Sequence, residues 1–171
     1  MRRALVSAIA LVLLGAWPAW PGPPGGDGLE YKVKAAFLFN FLKFVEWAPA
    51  VGDSPWGICV LGHDPFGEVL EETVRGKIVN GRTIEVRRYG RPGDVKDCNI
   101  LFIGHADFAR LGIPVQPGVL TVGEAPGFLQ SGGIINFYIE ENRVHFEIRS
   151  AIARSAGLHV SSQLLKLGRA L

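Results

Sequence analysis

The chain has 171 residues, 48% of them hydrophobic and 20% charged, with a formal charge of +2. That composition supports one domain with its own core and excludes a disordered segment. The two surplus charges, Arg2 and Arg3, lie in the first 26 residues. Beyond them 16 basic residues stand against 16 acidic ones, so no basic surface suited to nucleic acid is expected, and no nucleic-acid partner.

Arg2 and Arg3 precede the uncharged run ALVSAIALVLLGAW, residues 4–17. Its length suits the apolar region of a secretory signal and falls short of the roughly 20 residues that span a membrane. PAWPGPPGGDG follows as an extended, proline- and glycine-rich linker. Residues 1–26 are read as an export signal with linker, and 27–171 as a single domain.

Residues 30–47, EYKVKAAFLFNFLKFVEW, form the strongest helix pattern. Phe37, Phe41, Phe44 and Val45 follow helical spacing, while polar groups keep to a narrow line through Lys32, Asn40, Lys43 and Glu46. A helix so apolar must be covered on most sides. Two readings stand: a core helix, or one that completes a partner or dimer interface. APAVGDSP then stops it.

GICVLG is a short apolar strand carrying Cys59. DPFGEVLEETVRG predicts a helix capped by Asp64 with Pro65 at its first position. In KIVNGRTIEVRRYG an Asn-Gly turn precedes a strand with Ile84 and Val86 on one face, Glu85 and Arg87 on the other. CNILFIG and GVLTVG are buried strands around the short helix ADFARLG. APGFLQSGG predicts a helical turn. IINFYI and RVHFEIR flank EEN as a hairpin, with His145 pointing outward. Ser150 and Ser161 are expected caps of short terminal helices, the second presenting Leu164, Leu167 and Leu171. The fold class is α/β: a mostly parallel central sheet flanked by helices, with a late antiparallel hairpin and C-terminal helices.

Cys59 and Cys98 are the only cysteines. In an exported chain such a pair is most simply a disulfide; two buried thiols or half of a zinc site are the alternatives. Neighbouring strands would bring them within the roughly 4.4–6.8 Å Cα separation a disulfide needs.

Three strand-like runs end alike, in VLGHD, FIGHA and TVGEA, placing His63, Asp64, His105 and Glu124 at a common rim. Ligands commonly bind outside the carboxyl ends of parallel strands. Two imidazoles and a carboxylate could also ligate zinc. The histidines are isolated, however, without the close spacing of a metal motif. No Ser-His-Asp order, phosphate-binding glycine loop or H-E-x-x-H occurs, so neither catalytic residues nor metal nor cofactor are expected.

Several phrases occur in an order that resembles the YfiR family: KAAFLFNFLKFVEW, GKIVNGRTIEVRR, ILFIG, LTVGEAPGFLQSGGIINF, EENRVHFEI and GLHVSSQLLKL. The resemblance covers about residues 30–168. It implies a non-enzymatic periplasmic regulator that represses an inner-membrane diguanylate cyclase, YfiN in the family's best-known case, by contacting its periplasmic domain. Lower cyclic di-GMP and less biofilm would follow. It also implies a homodimer and a disulfide where Cys59 and Cys98 fall. The surface expected to meet such a partner, or a second copy, combines Phe37, Phe41 and Phe44 with Leu164, Leu167 and Leu171. The other function considered is a periplasmic small-ligand-binding sensor with no cyclase partner.

Overall fold

The computed structural model describes residues 27–47 and 54–171; the expected export segment, and residues 48–53 of the expected helix stop, lie outside the described residues. In chain order the elements are α1 (Asp27–Phe44), β1 (Val45–Glu46), β2 (Trp56–Leu61), α2 (Val69–Val74) and β3 (Ile84–Tyr89). Next come β4 (Ile100–Ile103), α3 (His105–Leu111), β5 (Leu120–Gly123), β6 (Ile135–Glu140) and β7 (Arg143–Ile148). The chain closes with α4 (Ser150–Ser155), β8 (His159–Val160), α5 (Ser162–Leu167) and β9 (Arg169–Ala170).

Every residue of β2, β4 and β5 is buried, as expected of parallel strands covered on both faces. They lie inside a seven-stranded sheet ordered β3-β2-β4-β5-β6-β7-β9. Strands β3, β2, β4, β5 and β6 are mutually parallel, and β7 returns antiparallel to β6. The expected α/β class, with its late hairpin and C-terminal helices, is what the structure has. The hairpin loop is Glu141–Asn142, both at positive φ, the two-residue geometry whose twist suits paired strands. Glu140, expected in the loop, instead pairs with Arg143.

Alternation along the strands divides the interior into two layers. One face carries Ile58 and Val60, Ile100 and Phe102, Leu120 and Val122, Ile135 and Phe137, with Phe146 and Ile148. α1 covers it: Ala35, Leu38, Phe41, Leu42 and Val45 recur at helical spacing and are all buried. Phe41 sits 5.9 Å from Phe137 and 5.3 Å from Phe146 between ring centres. The opposite face carries Cys59, Leu61, Leu101 and Ile103 under Phe108, Phe128 and Leu129. In that second layer Cys59 and Cys98 are joined by a disulfide, with their Cα atoms 5.8 Å apart. Cys59 lies mid-strand opposite Leu101, so the bond ties β2 to the turn that launches its neighbour β4.

Several boundaries differ from expectation for local reasons. α1 ends at Phe44, because Val45 and Glu46 turn extended and pair with Val160 and His159. α2 starts at Val69 rather than Pro65, since Gly67 adopts a φ of +54° that no helix accommodates. Asp64 therefore caps a turn, its Oδ1 accepting from the Phe66 N–H at 2.8 Å. Ser161 caps α5, accepting from Leu164 N–H, but Ser150 lies within α4 and Arg149 takes the cap position. APGFLQSGG folds as successive turns without a helix.

The disulfide spans a sequence separation of 39 residues, and loop-closure entropy then predicts a stabilisation of about 3–4 kcal/mol. A urea titration of the reduced or doubly alanine-substituted protein should show that loss; a change below about 1 kcal/mol would mean the unfolded state is not what the bond constrains.

Candidate functional site

The strand order sets where a site can form. The chain leaves β2, runs outward to β3, then crosses back to place β4 on the other side of β2. Loops leaving the carboxyl ends of β2 and β4 therefore diverge, which opens a crevice at that point of an open α/β sheet. A cleft of about 460 Å³ lies there, lined by His63, Pro65, Gly104, His105, Ala106, Asp107 and Glu124, with Gly28 and Tyr31 of α1 as its outer wall.

α1 is fixed to this edge by charge as well as by its apolar face. Lys34 is only 3% exposed. Its ammonium pairs with Glu30 one turn back and with Glu124 Oε2 at 2.5 Å, and sits 4.6 Å from the centre of the Tyr31 ring. Tyr31 donates its hydroxyl to Glu124 Oε1 at 3.1 Å, and the same oxygen receives the His105 N–H at 3.4 Å. One carboxylate at the end of β5 thus gathers α1 and the start of α3. Tyr31 is held edge-on to Phe66, with ring centres 5.3 Å apart.

Asp107 performs the matching task between β2 and α3. Its Oδ2 accepts the His63 N–H at 2.7 Å and its Oδ1 pairs with Arg110 at 2.5 Å. Burial pushes the Asp107 carboxyl up, but the Arg110 guanidinium and the His63 N–H outweigh it and leave it below its ordinary value. Gly62 is required beside it. A Cβ there would stand 2.3 Å from the Asp107 carboxyl carbon, on a backbone at φ +89°.

A family model described as YfiR/HmsC-like matches residues 31–169, most of the chain. The chain belongs to the YfiR/HmsC-like family. The match begins at Tyr31 and ends at Arg169, the first residue of β9, so the crevice of this YfiR/HmsC-like domain, Gly28 apart, lies within the matched span. No curated protein matches the chain.

Of the expected rim residues, His63, His105 and Glu124 come together in the crevice. Asp64 does not. Its Oδ2 pairs with Arg88 Nε at 2.7 Å, and Arg88 also binds Glu71, holding the Glu71 carboxyl below its ordinary range. Among the described residues no group of three or more His, Cys, Asp or Glu side chains could hold a metal ion. His145 is half-buried and stacks on Tyr138, with ring centres 5.6 Å apart. Sequence reasoning missed Lys34, Tyr31 and Asp107. A signal existed for Lys34, whose i−4 neighbour is Glu30, the orientation that favours an ion pair on a helix. Asp107 carried only the weak signal of an acid in the first turn of a short helix.

The expected interface residues divide as well. Phe41 and Leu164 are fully buried in the core of this chain, so neither can face a partner, and the surface drawn through them is corrected. Phe37 and Phe44 are half-buried against that core. Leu167 and Leu171 are exposed, but Leu171 lies beyond α5, its N–H bonded to Ile148 C=O, and shares no helical stripe with Leu164.

Two outcomes test the network. Lys34→Met leaves Glu124 buried beside no ammonium and should cost about 3 kcal/mol, most of it restored by adding Glu124→Gln; equal loss in both variants by urea titration would refute the pairing. Because folding lowers the Asp107 pKa, its contribution is present above the unfolded value of about 3.9 and lost as pH falls through the folded one. Asp107→Asn should therefore be less stable than the parent at neutral pH and lose less on acidification. Parallel stability–pH curves would contradict this.

Proposed function

We propose that this chain is a periplasmic regulator that represses an inner-membrane diguanylate cyclase by binding that enzyme's periplasmic domain. Membership of the YfiR/HmsC-like family over residues 31–169 is the observation that carries the reading. The arginine-led apolar run at residues 2–17 supports export, and the Cys59–Cys98 disulfide suits an oxidising compartment. Repression needs no chemistry in this chain. It requires tighter binding to the inactive conformation of the partner than to the active one, since equal affinity shifts nothing.

A surface for such contact is the outer side of α1. Leu29 is 70% exposed, Val33 follows it one turn on, and Ile139 of the hairpin stands beside them at 49%. Together with Phe37 and Val144 they line a hollow of about 440 Å³. This face replaces the surface expected through Phe41. It contains apolar groups that a solitary domain would ordinarily cover, and the homodimer implied by the family would draw on the same resource. Reduction of Cys59–Cys98 is one input, because it would loosen the layer opposite α1; occupation of the crevice is another.

Co-purification from membranes tests the reading. The parent protein should retain a membrane protein bearing a periplasmic domain and a cytoplasmic cyclase domain, and Val33→Glu, at an exposed position, should release it while remaining folded. Retention of that partner by Val33→Glu would remove the surface, and absence of any such protein in the parent sample would remove the function.

A further inference from the structure

The two edges of the sheet differ in character. At one, β9 is two residues long and offers little to a neighbour. At the other, β3 keeps an unbroken parallel register with β2 from Ile84 to Tyr89, with no bulge and no proline. The Thr83 and Tyr89 carbonyls accept from Trp56 N–H and Gly62 N–H, so the odd-numbered residues of β3 turn their backbone groups toward β2. Those of Ile84, Val86 and Arg88 therefore point away from the sheet. Among the described residues none of these outward groups has a hydrogen-bond partner. Natural sheets shorten, kink or block such an edge unless something pairs with it.

The side chains flanking this edge select its partner. A second copy running antiparallel can bond to β3 only where outward-pointing residues face each other, which restricts the register. Setting Ile84 against Val86 puts Glu85 opposite Glu85 of the other copy. Setting Val86 against Arg88 puts Arg87 opposite Arg87. Like charges directly opposite destabilise a sheet. With Val86 opposite its own counterpart, each Glu85 faces an Arg87 instead, in the closely spaced positions where cross-strand side chains interact most. Glu85 and Arg87 already pair within one copy, so two copies would close a ring of alternating charge.

We propose that β3 is the seat of a two-fold dimer, in which two copies pair antiparallel about Val86 and join their sheets into one. The occupant is a second copy because the charge pattern is complementary to itself, as an isologous interface requires. The dimer axis stands normal to the joined sheet, so both α1 helices lie on the same side of it. A second copy seated at β3 no longer draws on the outer side of α1, which is left to the membrane partner. Two such faces on one side would hold a two-fold partner more tightly than either alone, through linkage of the sites. That consequence rests on the regulatory reading above, whereas the dimer itself does not.

Sedimentation of the purified protein over a concentration series, with no membrane partner present, tests the dimer apart from the function. The parent should pass from monomer to dimer below millimolar concentration. Glu85→Arg and Arg87→Glu should each weaken association by about tenfold, because every facing pair becomes like-charged. Mixed in equal amounts, these two variants should associate with each other as tightly as the parent does with itself. A merely structural role of either residue would not produce that rescue. Val86→Pro, whose N–H has no partner within the chain to lose, should be monomeric while remaining folded. The proposal is overturned if the parent stays monomeric at millimolar concentration, if mixing restores nothing, or if Val86→Pro remains a folded dimer. Dissociation by Val33→Glu in place of the β3 variants would overturn it equally.

Discussion

Phe41 of α1 is wedged between Phe137 and Phe146, and two turns earlier Lys34 closes onto Glu124 at the end of β5. These two contacts fix the helix in position and in rotation. The aromatic wedge is the stabilising part, because burying one phenylalanine side chain contributes about 2–3 kcal/mol. The ion pair contributes less on balance, since an ammonium must be desolvated to form it, but it specifies which residue meets the sheet edge. With α1 so placed, Tyr31 becomes a wall of the crevice and Leu29 and Val33 are turned outward. One helix therefore carries both features to which a function can be attached.

The second layer is held by other means. Between the sheet and α3 the buried groups are fewer, and a disulfide stands where more side chains would otherwise be needed. It joins β2 to the approach of β4, the two strands whose ends frame the crevice. Asp107 repeats the connection at their opposite ends, bridging the β2 loop to α3. The frame of the site is thus fastened at both ends of the same strand pair. Any change in α1 or in the crevice is felt against a rigid backing.

The parts of this fold that could be read in the sequence were those set by apolar patterning. Runs such as GICVLG and CNILFIG are buried on both faces and became central parallel strands, and the alternation from Val144 to Ile148 became the hairpin arm. The common rim of His63, His105 and Glu124 also followed, because parallel strands bring their ends to one edge. What could not be read depended on partners remote in the chain. Phe41 looked like part of a surface because spacing alone cannot tell which side of an apolar helix is covered. Asp64 looked like a helix cap and rim residue until Gly67 broke the helix and Arg88 drew its carboxylate away. Lys34 drew no reading of its own, because the second carboxylate that joins Glu30 in receiving its ammonium, Glu124, lies 90 residues distant.

The function proposed for this YfiR/HmsC-like domain draws on the exposed apolar face of α1 and on the packed sheet behind it. Its most direct test is the cytoplasmic cyclic di-GMP concentration in cells of the source organism with and without this gene. The account predicts a rise on deletion, reversed by the parent chain and not by one altered at Val33. An unchanged nucleotide concentration on deletion, in cells shown to express the protein beforehand, would contradict it.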